Sequence, residues 1–552
     1  MFRRRPGPLR ATLVVMASAV FLCLLFLPAK DEGNLAFVLD WRPEIEPLLV
    51  IAGIALLAVA GRHMPALARW LLAAALAVAA LLQAVDAAVL SFFDRALDLY
   101  FDLPHVPRLI ALFYDSAGAW RGTAAIIAAV IGMAALVWLI ARALLAIERA
   151  LRVPRHAAAC LGTIALLTAT AAVSAVAPGE SWLGARATAV VGTQAARLYR
   201  AYSVIHGYDK RYAGMLGTPQ PPAGPLPRLK RNDVYVIFFE SYGAVALDDP
   251  RYAATVLPAL GEFAATVGQA GYHLASDRIV SPTFGGGSWL AHGTIDSGLK
   301  LDALLTRVIT DSDRRTLPRY LEAAGYRSVA VIPGLKSAEP EQAFWGFDRT
   351  YDAGALGYGG PPFGWFAIPD QYTLRRFDQT EAAPGHGPLF AQIVLVSSHT
   401  PFAPVPPYVA DWRPADLYEG VTKAQWDRIY AEPDWSHLGP AYAESVVYDL
   451  KTLGAWLAQR EGDALVVILG DHQPPGFISG EKQPWTVPIH VLSRDADLVK
   501  PFLALGYAEG PMPPEAGGLK GMESFLGDFL TAFAAAPAEV ATHPETREHL
   551  PD

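Results

Sequence analysis

The apolar residues of this chain are placed unevenly. Before about residue 180 they form long, nearly uninterrupted runs. After it they come in short bursts separated by polar, glycine- and proline-bearing segments. A run of about 20 apolar residues is long enough to cross the hydrocarbon of a bilayer, and 552 residues exceed what one core organises. The chain therefore reads as two or more units, the first of them built for a membrane. Its 53% hydrophobic and 18% charged residues agree with that. A net charge of −8 gives no reason to expect a nucleic-acid partner.

Five apolar stretches reach or approach spanning length: Ala11–Pro28, Glu46–Gly61, Ala66–Phe93, Gly122–Ile147 and His156–Pro178, the second being short. A cleaved signal peptide is the rival reading of the first. More spans follow and no small-residue cleavage pattern is clear, so an uncleaved span is preferred. Basic residues orient the set. Arg3, Arg4, Arg5 and Arg10 precede the first stretch, Arg62 and Arg69 separate the second from the third, and Arg149, Arg152 and Arg155 separate the fourth from the fifth. These segments are expected in the cytoplasm. Asp31, Glu32, Asp40 and Glu44 follow the first stretch and suit the outside. An odd number of spans then places everything after Pro178 outside.

Between the third and fourth stretches, 94–121 is too polar to span. Its Tyr100, Phe101, Phe113, Tyr114 and Trp120 suit a membrane-water interface. The segment 179–216 reads as an amphipathic helix able to lie along a membrane surface, and the Pro-rich Gly217–Pro227 as a linker. The expected organisation is a transmembrane domain over 1–178, a connector over 179–228 and a globular domain over 229–552.

In the outer half, short β-branched and aromatic runs alternate with helical patterns, which indicates an α/β domain with a mostly parallel sheet. Asp233–Phe239 (DVYVIFF) ends at Glu240. Ser328–Ile332 ends in the loop Pro333–Lys336. Ile393–Val396 leads to Ser397, Ser398 and His399. Ala464–Leu469 leads through Gly470 to Asp471 and His472. Function in open α/β sheets gathers at the carboxyl ends of strands. A single acid after a strand is often a helix cap. Three endings that supply two carboxylates and two imidazoles fit a metal site better. For a nucleophile, SPTFGGGSWLAHG (Ser281–Gly293) offers Ser288 behind three glycines at the start of a helix. Glycines let backbone approach a ligand and a helix N-terminus favours phosphate. The plain alternative is a flexible turn with Ser288 as its cap. Thr283 is a second hydroxyl candidate, and His292 is placed behind the site.

These motifs resemble the sulfatase-like branch of the alkaline phosphatase superfamily, and within it the membrane-bound lipoteichoic acid synthases, phosphoglycerol transferases and phosphoethanolamine transferases. FFESYG (Phe238–Gly243) resembles the first strand with its metal-binding glutamate, Glu240. GGGSW resembles the nucleophile loop, with Ser288 where the family usually has threonine. LVSSHTPF (Leu395–Phe402) resembles the histidine motif near the phosphate, His399. LGDHQPP (Leu469–Pro475) resembles the metal-binding pair Asp471 and His472. For the Trp and Arg that hold phosphate in the family, Lys336, Trp345 and Arg349 are the approximate counterparts here. Tyr442–Trp456 resembles a scaffold helix, and Val487–Ser493 the following strand, with His490 in the core. No cysteine follows Cys160, so the cysteine that most sulfatases convert to formylglycine is missing.

The resemblance implies a multi-pass protein of a bacterial inner membrane with an extracytoplasmic catalytic domain. A divalent ion (Mn²⁺, Mg²⁺ or Zn²⁺) would be held by Glu240, Ser288, Asp471 and His472. Ser288 would take a phospho-headgroup from a membrane phospholipid and pass it to a glycan or lipid acceptor, with His399 as the proton-handling group. Two alternatives remain: a phosphoester or sulfate-ester hydrolase using the same site, and a non-catalytic lipid-sensing regulator with a degenerate site. The sequence assigns no headgroup, acceptor or oligomeric state.

Overall fold

The computed structural model describes residues 7–534 apart from 32–33, 108–109, 112–113, 115–118, 177–180, 208, 336–341, 384, 414–416, 419, 423–424, 427–432, 435–436, 481–482 and 516–518. The chain divides into two compact units, Met1–Lys210 with Pro475–Gln483, and Arg211–Pro474 with Pro484–Asp552.

The first unit is helical. It contains α1 (Pro8–Leu24), a hairpin of β1 (Pro28–Asp31) and β2 (Asn34–Leu39), then α2 (Ile45–Val59), α3 (Ala66–Phe93), α4 (Ala119–Ala150), α5 (Pro154–Val176) and α6 (Arg186–Ile205). Each of the five apolar stretches lies largely within a helix. Among the described residues, three are long and apolar enough to cross a membrane: Ala66–Phe93, Trp120–Ala150 and Pro154–Ser174. The other two are shorter because the chain stops them. α1 gives way to the hairpin at Pro28, and α2 ends before Gly61, whose φ of 66° breaks the helix. At 1.5 Å per residue, a 15-residue helix such as α2 rises only about 22 Å. The amphipathic segment forms α6. Its first turn is fastened by the fully buried Glu44, which pairs with the Arg186 guanidinium and accepts the Arg186 N–H at 2.9 Å. Phe113 lies outside the described residues.

The second unit is an α/β domain. Its elements are β3 (Asp233–Phe239), α7 (Pro250–Gln269), β4 (His273–Val280), α8 (Ser288–Ser297), α9 (Leu317–Ala323), β5 (Arg327–Val331), β6 (Arg349–Tyr351), α10 (Asp370–Thr380), β7 (Leu389–Val394), α11 (Gly439–Gln459), β8 (Ala464–Gly470), β9 (Thr486–Ser493), β10 (Ala508–Glu509), β11 (Lys520–Gly521) and α12 (Phe525–Phe533). Among the described residues one sheet forms in the order β10-β4-β9-β8-β3-β7-β5-β6, with β11 beside β4. The run β8-β3-β7-β5-β6 is parallel, and β9 is antiparallel to both β8 and β4.

The central strand β3 is covered on both faces, which explains its unbroken apolar sequence. Val234, Val236 and Phe238 join a core with Ile295 of α8, Leu317 and Tyr320 of α9, and Phe525 and Phe529 of α12. Alternate residues face the other way, and there Tyr235 meets Phe377 of α10 and Trp456 of α11 at ring separations of 5.6 and 6.0 Å.

One strand boundary departs from the sequence reading. The run expected over Ile393–Val396 is strand only to Val394. Beyond it the N–H of Val396 turns to a side-chain acceptor, the carboxylate of Asp370, at 2.8 and 3.0 Å, and leaves the ladder. The chain is thereby released to turn toward His399.

Candidate active site

The carboxyl ends of β3 and β8 are adjacent and bring together Glu240, Asp471 and His472. Each offers one ligand atom, and these atoms all lie within 4.8 Å of one another. The close approach of the two strand ends requires Gly470, because a Cβ there would stand 2.0 Å from the Tyr242 carbonyl oxygen. Just past β3, Ser241 takes a left-handed conformation with φ of 55°. Its N–H thereby donates to Asp471 Oδ1 at 2.8 Å, and its hydroxyl donates to Glu240 Oε1 at 2.9 Å. Such a conformation costs a non-glycine residue about 1–3 kcal/mol and persists where the surroundings impose it.

The His472 ring is fixed by its neighbour. Nδ1 donates to the Gln473 carbonyl at 2.8 Å, so the lone pair sits on Nε2, which faces Glu240 Oε1 at 3.5 Å and Asp471 Oδ2 at 3.6 Å. A ring held in this way has its lone pair oriented as metal coordination requires.

The glycine loop enters from β4. Gly285, Gly286 and Gly287 have φ of 68°, 148° and 77°, a succession only glycine tolerates. It delivers Ser288 as the first residue of α8. The Ser288 hydroxyl donates to Glu240 Oε2 at 3.2 Å and lies 3.2 Å from His472 Nε2. Thr283, the other hydroxyl considered, is spent inside the loop: its Oγ1 donates to the Gly286 carbonyl at 2.5 Å.

Whether these residues suit a cation can be judged from their own chemistry. Asp471 Oδ2 is buried and makes no hydrogen bond. Burial, and then the charge of Asp471, push the Glu240 carboxyl well above the usual carboxylate range. Among the described residues, neither acid has a lysine or arginine within ion-pair distance. Two buried carboxylates, ionised together, carry two negative charges with no lysine or arginine beside them, and with the hydroxyl and the imidazole lone pair they fit a divalent cation with oxygen and nitrogen ligands.

His399 follows β7. Its Nδ1 donates to its neighbour Thr400's carbonyl at 2.6 Å, and its ring packs edge-on against Phe366 at 4.6 Å and near Trp365 at 5.8 Å. Burial lowers it to about 4. It is neutral near pH 7, with Nε2 as a proton acceptor. Ser398 Oγ donates to the Glu240 carbonyl at 2.7 Å and ties this loop to the end of β3.

Trp345 packs on the back of α8, where its ring would stand 2.6 Å from a Cβ on Gly293. Arg349 starts the edge strand β6, which β7 and β5 separate from β3, and stacks over Tyr351 at 4.4 Å. Lys336 lies outside the described residues. His292, one helical turn after Ser288, stacks 4.1 Å from Phe238 and is lowered to about 4 by burial. His490 sits within β9 between Ser276 and Tyr242. Sequence reasoning missed Asp370, Trp365 and Phe366. They lie in a loop and at a helix start whose pattern carries no ligand signature.

Comparison with known proteins identifies the class. Residues 300–487 match the Sulfatase family model, so this part of the chain is a sulfatase-like enzyme domain. The match includes His399, Asp471 and His472. No curated protein matches the chain. Among solved structures, the chain is similar to the lipoteichoic acid synthase LtaP from Listeria monocytogenes (13% identity, 59% of this chain and 77% of that one, TM-score 0.37). It is also similar to the phosphoglycerol transferase GacH of Streptococcus pyogenes (14%, 60% and 91%, TM-score 0.33). A third is the phosphonate monoester hydrolase of Agrobacterium radiobacter (14%, 54% and 77%, TM-score 0.29).

Proposed function

We propose that the protein is a metal-dependent transferase that moves a phospho-headgroup, phosphoglycerol or phosphoethanolamine, from a membrane phospholipid to a glycan or lipid acceptor through a covalent Ser288 intermediate. The observation that carries this reading is the Ser288 hydroxyl, set at a helix N-terminus and within 3.2 Å of both Glu240 and His472. In the same reading all five apolar helices span a bacterial inner membrane and the catalytic domain is extracytoplasmic.

Glu240, Asp471, His472 and Ser288 would hold the cation, which is taken as Mn²⁺, Mg²⁺ or Zn²⁺. When bound, it supplies positive charge for the Ser288 oxygen and the phosphoryl oxygens. The amide groups at the start of α8 add donors for the same anion. In the first half-reaction Ser288 Oγ bonds to phosphorus, the bond from phosphorus to the diacylglycerol oxygen breaks, and the serine proton ends on that oxygen. In the second half the acceptor hydroxyl bonds to phosphorus, Ser288 leaves, and the acceptor's proton returns to Ser288. His399 Nε2, whose lone pair is free because Nδ1 is committed to Thr400, holds the proton in transit. Trp345 braces α8 and with it the nucleophile.

The test is an incubation of the full chain with headgroup-labelled phospholipid and Mn²⁺, with and without a glycan acceptor. Transfer gives diacylglycerol together with labelled acceptor. Release of free headgroup phosphate at the same rate in both arms makes the protein a hydrolase. Absence of turnover with every headgroup and cation tried supports the non-catalytic alternative.

A further inference from the structure

The proposed reaction leaves one pair of buried acids unused. Asp370, at the start of α10, and Asp449, in the middle of α11, are both 0% exposed. Asp370 receives the Val396 N–H on its two oxygens at 2.8 and 3.0 Å and the Ser397 N–H at 2.6 Å. Its own N–H donates to Ser397 Oγ at 3.2 Å. Those bonds replace the ladder partners that the chain loses at the end of β7, and they lie two to three residues before His399.

Asp449 differs. Neither of its oxygens accepts a hydrogen bond from a donor group. A carboxylate left so would be costly. Burial, then the adjacent Asp370 carboxylate, raises Asp449 well above the usual range. Two backbone N–H groups, which make three contacts with its carboxylate, and a helix N-terminus favour the charge on Asp370. The proton therefore belongs to Asp449, which is a neutral acid able to donate to Asp370.

We infer that Asp370 and Asp449 are positioning residues for His399: Asp370 fixes the backbone of the histidine loop, and Asp449 holds the Asp370 carboxyl from the helix that runs into β8. Ser398 carries the same restraint to the Glu240 carbonyl. The inference rests on the proposed role of His399.

A double-mutant cycle tests it. The full chain in detergent is assayed with Mn²⁺ and the diester probe bis(p-nitrophenyl) phosphate, with melting temperature and Mn²⁺ affinity measured alongside. Asp370→Asn sets an amide donor against backbone donors and is expected to lower kcat by about 10- to 100-fold while leaving KM and Mn²⁺ affinity nearly unchanged. Asp449→Asn keeps a donor toward Asp370 and is expected to stay within about threefold of the natural protein, whereas Asp449→Leu should fall as Asp370→Asn does. In a His399→Ala background, Asp370→Asn should cost nothing more. Independent, multiplying losses would overturn the inference, as would Asp449→Asn losing as much as Asp449→Leu. Should Asp370→Asn fail to fold, the Asn and Leu variants at 449 decide alone. An unchanged kcat in His399→Ala would remove the proposed role of His399 itself, and the inference with it.

Discussion

Ser288 Oγ stands 3.2 Å from Nε2 of His472, although 184 positions separate them in the chain. The contact exists because the glycine loop after β4 and the carboxyl end of β8 converge on Glu240, so that one hydroxyl meets a carboxylate and an imidazole.

Removing that hydroxyl is the sharpest substitution. Ser288→Ala is expected to reduce headgroup transfer by more than about a thousandfold. Thr283→Ala, which removes only a hydrogen bond inside the loop, should retain activity within about tenfold. Diacylglycerol release from labelled lipid measures both. A dead Thr283→Ala beside an active Ser288→Ala would exchange their roles.

The cation should stabilise the fold as well as serve the reaction. At about 100 times its dissociation constant, a ligand that binds only the folded state adds about 2.7 kcal/mol. The melting temperature of the full chain should therefore rise with added Mn²⁺ and fall with chelator. Asp471→Asn, which alters the one buried oxygen in the cluster that lacks a hydrogen bond, should abolish the response. A Mn²⁺ shift that survives in Asp471→Asn would place the ion elsewhere.

His490 makes stability depend on pH. Ser276 Oγ donates to the Gly510 carbonyl at 2.6 Å, so it accepts from His490 Nδ1, leaving Nε2 to accept from Tyr242. Burial lowers this imidazole to about 4, against about 6.5 in an unfolded chain. Between those values the unfolded state binds more protons, so stability increases as pH rises through the window and is lost as pH falls from about 6.5 toward 4. The contribution is on the order of 3 kcal/mol. His490→Gln should reduce the slope of melting temperature against pH in that window, the rest of the slope coming from His292 and His399, which burial lowers to the same value. An unchanged slope would contradict the assignment.

Gly470 marks the tolerance of the strand junction. With a Cβ expected 2.0 Å from the Tyr242 carbonyl oxygen, Gly470→Ala should destabilise the domain by about 3 kcal/mol or more and weaken Mn²⁺ binding by separating Glu240 from Asp471. A native-like melting temperature and Mn²⁺ affinity would show that the strand ends yield freely.

Much of this was legible in the sequence. DVYVIFFE and ALVVILGDH announce fully buried parallel strands that end in metal-capable residues, because a strand covered on both faces leaves its chemistry to its end. The glycine triplet before Ser288 announces backbone that no other residue follows. The antiparallel β9 could not be read, since VPIHVLS is apolar whichever way it runs. Nor could Asp370 and Asp449: an acid at a helix start reads as a cap, and one in a helix interior reads as solvated, until the packing buries both. The ends of α1 and α2 could not be read, because hydropathy continues past the residues where the helices stop.

The measurement closest to the central claim is mass spectrometry of the protein after brief incubation with headgroup-labelled phospholipid and Mn²⁺, without acceptor. A phospho-headgroup adduct on the peptide that carries Ser288, absent in Ser288→Ala and in chelator, is the expected result. An adduct on Thr283, or turnover that leaves Ser288 unmodified at every time sampled, would contradict the account.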